Sequence, residues 1–429
     1  MKKVKLGELW KESKIESANP DSDRRIKVRL NVQGVEKRPD KNDQKLATKY
    51  FIRKAGQFIY GKQNFHKGAF GIIPKELDNF ESSSDIPSFD IVPECNPEWL
   101  YYYFKQGNFY AELEKYSKGT GYKRIHPDKI EHLEVPLPER KEQDEIIKKI
   151  KLQEKVISEI DLVNNKNEDY ISKLRQQILQ EAVQGKLVKQ DPKDEPASEL
   201  LKKIKAEKEK LIKEGKIRKE KPLKPISEDE IPYELPNGWE WVRLGDIFKT
   251  STGGTPSRSI SSYYGGTMPW LKSGELNDNL KINKSEEFIT EEGLKNSSAK
   301  LFKKGSLLLA LYGATAGKLG ILDFDATTNQ AVCNFEQNKF IENMYLFYFL
   351  RSIREKILRE CFGGAQPNIS QDYVKNIEFP LSPLSEQKRV VEKVDKLMAY
   401  CNELEKQVKE NQVNSEKLIS AVLKESFEI

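Results

Sequence analysis

From Phe379 to Phe427 the chain opens FPLSPLSEQKRVVEKVDKL, and its apolar residues then recur at coiled-coil spacing. Gln387, Val394, Cys401, Val408, Ser415 and Val422 fall on one heptad position; Val390, Leu397, Leu404, Asn411 and Leu418 fall on the other. The pattern predicts a strand, a turn bounded by Pro380 and Pro383, and a long helix. Ser385 is the expected cap, its side-chain oxygen taking up an unpaired backbone N–H. The same pattern occurs earlier, in VPLPERKEQDEIIKKI from Val135. Setting Glu142-Gln143 on Glu386-Gln387 carries Ile146 to Val390, Ile160 to Leu404, Leu174 to Leu418 and Ile178 to Val422. The polar Asn167 lands on Asn411. A seam asparagine fixes register at some cost in stability, and this matched placement predicts that the two helices pair with each other. The chain contains one plan twice.

The remaining segments fit that plan. VKLGELW at 4–10 echoes VRLGDIF at 242–248 as a short strand or turn leading into each unit. FIYGKQNFHKGAFGII at 58–73 predicts a hairpin with a polar, cationic middle. PEWLYYYFK at 97–105 predicts a helix matched by NMYLFYFLR at 343–351, with the aromatic stripe Tyr101–Phe104 facing a core. GTGYKRIHPDKI at 119–130 matches GGAQPNISQDYV at 363–374. The first long helix is expected from about Lys141 to Gln184, ended by Gly185 as its C-cap. Prolines at 192, 196, 222, 225 and 232 mark a linker, and its Ser198–Glu220 stretch predicts a charged, solvated helix bridging two halves. A nucleic-acid-binding role for its lysines is the alternative. In the second unit, STGGTPSRSISSYYGGTMPWLKSGEL is a loop that cannot fold a core but can offer N–H groups and hydroxyls to an anionic surface. GSLLLALYGATAGKLGIL at 305–322 predicts two buried strands joined by a Gly-rich turn.

Composition narrows the class. A chain of 429 residues predicts two or three domains. One third of the residues are charged and mean hydropathy is −0.70, so large surfaces are wetted. The net charge of +6 is compatible with a polyanionic partner. Cys95, Cys333, Cys361 and Cys401 are scattered, which predicts a reducing, cytoplasmic setting. The apolar run at Met344–Leu350 is too short to span a bilayer, so no membrane partner is expected.

Enzymatic motifs do not assemble. GATAGKL at 313–319 is one residue short of a phosphate loop and has Leu319 where Ser or Thr holds magnesium. Pro39-Asp40 with Asp43 and Lys45 is too cramped for a nuclease carboxylate set. NPEW at 96–99 lacks the second proline of the motif that grips a flipped base, and no FxGxG cofactor loop is present. His66, His126 and His132 have no partners at catalytic spacing. The expectation is no catalytic residue, no metal ligand and no cofactor in this chain.

The motifs WEWVRLGDIF, GGTPSR, MPWLKSGEL, TNQAVCNF, GGAQPNIS and FPLSPLSEQKRVVEKV resemble the specificity subunit of type I restriction–modification systems. The resemblance covers essentially the whole chain and is most specific from Pro236 onward, in the linker and in both long helices. The first unit departs from it, carrying FIYGKQNFHKGAFGIIPKELD in place of a GGTPS loop, so base-contacting positions are not transferred between units. The resemblance implies an α+β/α/β fold class: two globular α/β target recognition domains separated by a long antiparallel two-helix coiled coil, a pseudo-two-fold internal repeat. The expected divisions are 1–140 and 236–384 for the recognition domains, 141–189 and 385–429 for the spacer helices, and 190–235 for the linker. Implied partners are double-stranded DNA, two modification subunits that use S-adenosylmethionine to methylate adenine, and motor–nuclease subunits that use ATP and Mg2+. Two other classes stay open: a sequence-tolerant DNA-binding or architectural protein, and an unrecognised nuclease.

Specific DNA binding needs side chains that position on phosphates and others that read base edges. Candidates in the first unit are Arg24, Arg25, Lys62, Gln63, Asn64, His66, Lys67, Lys123 and Arg124. Those in the second are Thr255, Ser257, Arg258, Tyr263, Lys272, Lys318 and Gln366.

Overall fold

Short apolar strands and two long amphipathic helices organise the chain into two units. The computed structural model describes residues 2–39, 49–106, 109–118, 123–217, 219, 221–361 and 368–427. One unit is Met1–Asn167 with Gln407–Ile429; the other is Glu168–Lys406. The segment 40–48, with Asp40, Asp43 and Lys45, lies outside the described residues, as do 119–122 and 362–367.

The first unit contains β1 (Lys2–Lys5), β2 (Trp10–Ser13), β3 (Ile26–Val28), β4 (Val35–Lys37), β5 (Tyr50–Arg53), β6 (Phe58–Tyr60), β7 (Phe70–Ile72), β8 (Phe80–Ser83), β9 (Ser88–Ile91) and β10 (Glu134–Leu137). A four-stranded sheet runs β2-β9-β6-β7, with the pairs β3-β4, β5-β8 and β1-β10 beside it. β6 and β7 form the predicted hairpin, Phe58 opposite Ile72 and Tyr60 opposite Phe70. The core is aromatic: Phe58, Tyr60, Phe65, Phe70, Phe89, Trp99 and Phe104 are all buried and join Leu423 and Phe427 from the end of the second long helix.

The second unit contains β11 (Glu240–Arg243), β12 (Thr250–Thr252), β13 (Tyr264–Leu271), β14 (Asn279–Ile282), β15 (Glu287–Ile289), β16 (Leu301–Phe302), β17 (Leu307–Ala310), β18 (Leu319–Leu322), β19 (Ala326–Thr328), β20 (Val332–Phe335) and β21 (Glu378–Leu381). Two sheets form, β12-β20-β17-β18-β14 and β15-β13-β19-β16, with β11-β21 apart. Its sheet core is aliphatic, built on Leu271, Leu308, Leu322 and Val332. As predicted, 305–322 supplies two paired buried strands, β17 and β18.

A shared frame lies beneath these different sheets. β1 pairs antiparallel with β10, and β11 with β21 in the same way. Gly7 lies against the Glu131 side chain and Gly245 against that of Lys375, where an added Cβ would sit 3.0 and 2.9 Å from the facing Cβ. The indole of Trp99, in the 97–105 helix, donates to the Pro136 carbonyl at 2.8 Å. At the same place in the 343–352 helix, the Tyr345 hydroxyl donates to the Pro380 carbonyl at 3.0 Å. Gln143 and Gln387 close the frame. Gln143 donates to the Glu94 and Pro138 carbonyls, both at 2.9 Å, and accepts from the Asn96 N–H at 2.8 Å. Gln387 donates to the Ser382 carbonyl and accepts from the Glu342 N–H, both at 2.8 Å. Both glutamines are wholly buried, so each amide satisfies backbone groups that water cannot reach.

The two long helices are Arg140–Val183 and Leu384–Phe427, each of 44 residues, and Gly185 ends the first with φ +68°. The first heptad set is buried at Gln387, Val394, Cys401, Val408 and Ser415. The second is covered only at its start, where Val390 and the matched Ile146 are buried and Leu397 is half-buried; beyond it Leu404 and Leu418 are 44 and 51% exposed, Ile160 and Leu174 are 40 and 42% exposed, and Asn411 faces solvent. The covered positions lie instead four residues after the first set, at Met398, Glu405, Gln412 and Ile419. The stripe is displaced because each helix also packs on globular residues; Ile146, Ile147 and Ile150, for example, join the first unit's aromatic core. The buried asparagine is Asn164, not Asn167 or Asn411.

Two further expectations are corrected. Ser385 does not cap the second long helix; its hydroxyl donates to Asp194 at 2.6 Å. The linker helix, Ala197–Lys213, is not solvated all round. It buries Ala197, Leu200 and Ile204, and Lys208 donates to the Gly245 carbonyl of the second unit at 3.2 Å. Farther along, Glu230 receives both NH2 hydrogen bonds of Arg243, at 2.7 and 2.8 Å, strapping the linker to β11. No described helix is long and apolar enough to cross a membrane.

Candidate nucleic-acid interface

In the first unit the β6–β7 loop presents Lys62, Gln63, Asn64, His66 and Lys67 on a rigid support. Phe65 points the other way, wholly buried, its ring 4.3 Å from Tyr60 and 5.4 Å from Phe70. Gly68 at φ +75° returns the chain where a Cβ would sit 2.8 Å from the Val32 nitrogen. The Lys67 and Gly68 carbonyls accept from the Asn31 and Val32 N–H groups at 2.9 Å. Lys62 donates its N–H to the Asp85 carbonyl and accepts from the Ile125 N–H, at 2.9 and 2.8 Å. That brings Arg124 alongside, paired with Asp85 at 3.1 and 3.3 Å. Lys123 stands 3.5 Å from Glu114. The side chains of Lys62, Gln63, Asn64, His66 and Lys67 hold no hydrogen bond or ion pair with the described residues. Burial lowers the pKa of half-buried Lys62, and burial likewise lowers that of His66.

Arg24 and Arg25 belong to a different network. Arg25 is 3% exposed, bonded to Glu81 at 2.9 Å and stacked 3.2 Å over the Tyr50 ring. Glu81 also accepts from Ser17 and from the Asp21 N–H, at 2.7 and 3.1 Å. The structure therefore removes Arg25 from the surface: a lone buried guanidinium would be prohibitive, and Glu81 supplies its counter-charge. Arg24 stays exposed and pairs with Asp21 at 3.0 Å.

In the second unit the GGTPSR loop is anchored rather than loose. The Gly254 N–H donates to the Thr328 carbonyl at 2.9 Å, its own carbonyl accepts from the Trp270 indole at 3.0 Å, and the Tyr264 hydroxyl donates to the Pro256 carbonyl at 2.6 Å. Arg258 lies over the Tyr264 and Trp270 rings, 4.4 and 5.0 Å from their centroids, and meets Glu287 at 2.8 Å. Lys272 meets the other Glu287 oxygen at 2.8 Å. The hydrogen bond from Lys272, with Arg258 adding to it, holds the Glu287 carboxyl below its ordinary range. Thr255 donates to Gln330, Ser257 contacts Ser259 at 2.8 Å, and Tyr263 occupies the adjoining turn. Lys318 sits on the neighbouring 313–318 turn, which Thr315 ties to the Ser273 carbonyl at 2.8 Å; its ammonium is 3.5 Å from Asp278. Gln366 lies outside the described residues.

Sequence reasoning missed the acids that hold this surface, Glu287 and Asp278, and the Gln330 amide. Gln330 stands in TNQAVCNF and was within reach of that motif; nothing local marks Glu287. Among the described residues no group of three or more His, Cys, Asp or Glu is placed to hold a metal ion.

Residues 37–169 and 236–415 match the family described as "Type I restriction modification DNA specificity domain". The chain is 30% identical over 393 residues to the type I restriction enzyme EcoAI specificity subunit of Escherichia coli, a match covering 79% of this chain and 64% of that protein. To the EcoEI specificity subunit of the same organism it is 34% identical over 256 residues, covering 55 and 41%. These matches span less than two thirds of either relative. Among solved structures, one described by the complex assembly and conformational transition of the type I R-M system shares the fold at TM-score 0.69, with 18% identity over 99% of this chain and 97% of that one. The HsdS subunit from Thermoanaerobacter tengcongensis aligns at TM-score 0.59, with 18% identity over 99 and 96%. Two globular domains joined by long helices, with the family's sequence signature over both, place this chain in the type I restriction–modification DNA specificity family.

Proposed function

We propose that this chain selects the DNA site of a type I restriction–modification complex and performs no chemistry itself. The observation that carries the reading is one frame, repeated down to Gln143 and Gln387, holding two unlike polar surfaces. Unlike surfaces on matched supports read unlike half-sites, so the target is bipartite and asymmetric. In the first unit Lys62, Gln63, Asn64, His66, Lys67, Lys123 and Arg124 make the contacts; in the second, Thr255, Ser257, Arg258, Tyr263, Lys272 and Lys318. Arginine and lysine suit guanine or phosphate, and Asn or Gln suits adenine.

The partners are two modification subunits and the motor–nuclease subunits, which bring S-adenosylmethionine, ATP and Mg2+. They dock on the outward faces of the long helices, where Leu152, Val156 and Ile160 in one unit and Tyr170, Leu174 and Leu404 in the other are exposed. The helices set the gap between half-sites, each about 65 Å long at about 1.5 Å per residue. Half-site centres are expected about one turn apart, near 10 base pairs. The test is binding by the assembled complex on DNAs whose gap varies one base pair at a time. Inserting about four residues in the Arg140–Val183 helix adds about 6 Å, and the best gap should lengthen by about one or two base pairs at about 3.4 Å each. An optimum that stays put contradicts the ruler.

A further inference from the structure

In the last turn of the 343–352 helix, Arg351 is half-buried, yet its side chain makes no hydrogen bond or ion pair with the described residues. Burial lowers its pKa; Arg354 and Arg175 push the same way, and Asp278 opposes them. The Asp278 carboxylate is already engaged. Arg354 bonds both of its oxygens, one at 2.9 Å, Lys318 stands at 3.5 Å, and the Leu319 N–H donates at 3.2 Å. Arg175 is turned to Asn402 and Glu405, at 2.7 and 3.0 Å. Arg354, which opens the next helix, Arg354–Glu360, also donates to the Gly317 carbonyl at 2.8 Å, fixing the turn that carries Lys318. Asp278 thus serves Arg354 and Lys318, Glu405 serves Arg175, and the Arg351 side chain is left over.

The other unit shows what Arg351 lacks. Lys105 holds the matching place in the 97–105 helix, and its ammonium is 2.6 Å from Glu154, which also accepts from Tyr102 at 2.7 Å. The alignment that sets Glu142 on Glu386 sets Glu154 on Met398. The second unit keeps the cation but has a thioether at that position; its acid is Asp395, about one turn earlier, which accepts from Tyr348, the match of Tyr102, and makes no ion pair with Arg351. A partly dehydrated guanidinium without a counter-charge is unfavourable unless an anion from outside completes it.

We infer that Arg351, with Lys318 across Asp278 from it, is a phosphate-backbone contact for double-stranded DNA in the second unit. The inference rests on the DNA-recognition reading above. A guanidinium fork matches two phosphate oxygens, and a positive excess spread over several side chains suits a row of phosphodiesters better than a single protein carboxylate. Such a contact positions the duplex and carries no base information.

The test uses the full chain, a random-sequence duplex as probe, and titrations across a range of salt for wild type, R351Q and R351K. R351Q is expected to weaken binding about tenfold, the loss of one charge-assisted hydrogen bond, and to flatten the salt slope by about 0.9. R351K is expected to keep the slope, and neither variant to melt below wild type. Wild-type binding by R351Q overturns the assignment; so does a lowered melting temperature, which would reveal an internal partner. Unchanged DNA binding with weakened assembly onto modification subunits transfers Arg351 to a protein carboxylate and also overturns it. Wild type without salt-dependent binding sinks the DNA reading, and this inference with it.

Discussion

The two polar surfaces differ in how their charges are held, although the frames beneath them match. In the first unit Lys62 and Lys67 project from an aromatic-backed loop with no internal partner among the described residues. In the second, Arg258 and Lys272 share the two oxygens of Glu287. An uncommitted cation gains its full interaction on meeting a phosphate or base, and its contribution tracks salt steeply. A committed cation must exchange one carboxylate for another anion, so it gains little from a wrong sequence. On the function proposed above, the loop carrying Lys62 and Lys67 favours affinity and the Arg258–Lys272–Glu287 cluster favours discrimination.

The largest expected effect concerns the frame. Q143A and Q387A each strip a buried amide from backbone groups that no other described residue satisfies, and each should cost about 2–3 kcal/mol. Urea unfolding followed by hydrogen exchange at Asn96 and Glu342 measures both. Sharply unequal losses would break the claim of a common frame.

Charge reversal of the comparison comes next. K62Q should flatten the salt slope of duplex binding by about 0.9, while E287Q, by releasing Arg258 and Lys272, should steepen it by about the same amount. Competition between random and selected duplexes should show E287Q losing discrimination. Slopes that move in the same direction for both variants would erase the distinction between the surfaces.

The smallest effect belongs to the linker strap. The Arg243 hydrogen bonds, with the Ser227 N–H and hydroxyl, bring the Glu230 carboxyl down to about 2 from an ordinary 4.5. A carboxyl depressed on folding contributes stability above its unfolded pKa and loses it as pH falls through the folded value. The stability difference between wild type and E230Q should therefore be full above pH 4.5 and fade as pH falls toward about 2. A difference that does not change across that window would remove the strap's electrostatic role.

Sequence legibility followed range. The hairpin at 58–73, the helices at 97–105 and 343–352, and the long helices rest on local periodicity and were readable to within a residue or two. The second seam held at Val390 and was misplaced farther along, because heptad spacing describes a helix meeting one neighbour, whereas these helices also bury residues against globular domains, which shifts the stripe to Met398 and Ile419. Arg24 and Arg25 are indistinguishable by position; only Glu81, far along the chain, decides which one is buried. Gln143 and Gln387 were legible as repeated residues but not as clamps, because their partners are backbone groups whose approach no local pattern announces. The same holds for Glu287 and for the acid near Arg351, which moves from the position matched to Glu154 to Asp395.

The central claim, that the two units read different half-sites independently, is tested most directly by exchange. Residues 236–378 are replaced with the corresponding segment of another family member, the hybrid is assembled with modification subunits, and its target is selected from random duplexes. One half-site should change to the donor's while the other half-site and the gap stay as they were. Both half-sites changing together, or neither changing, would contradict two independent readers on one frame.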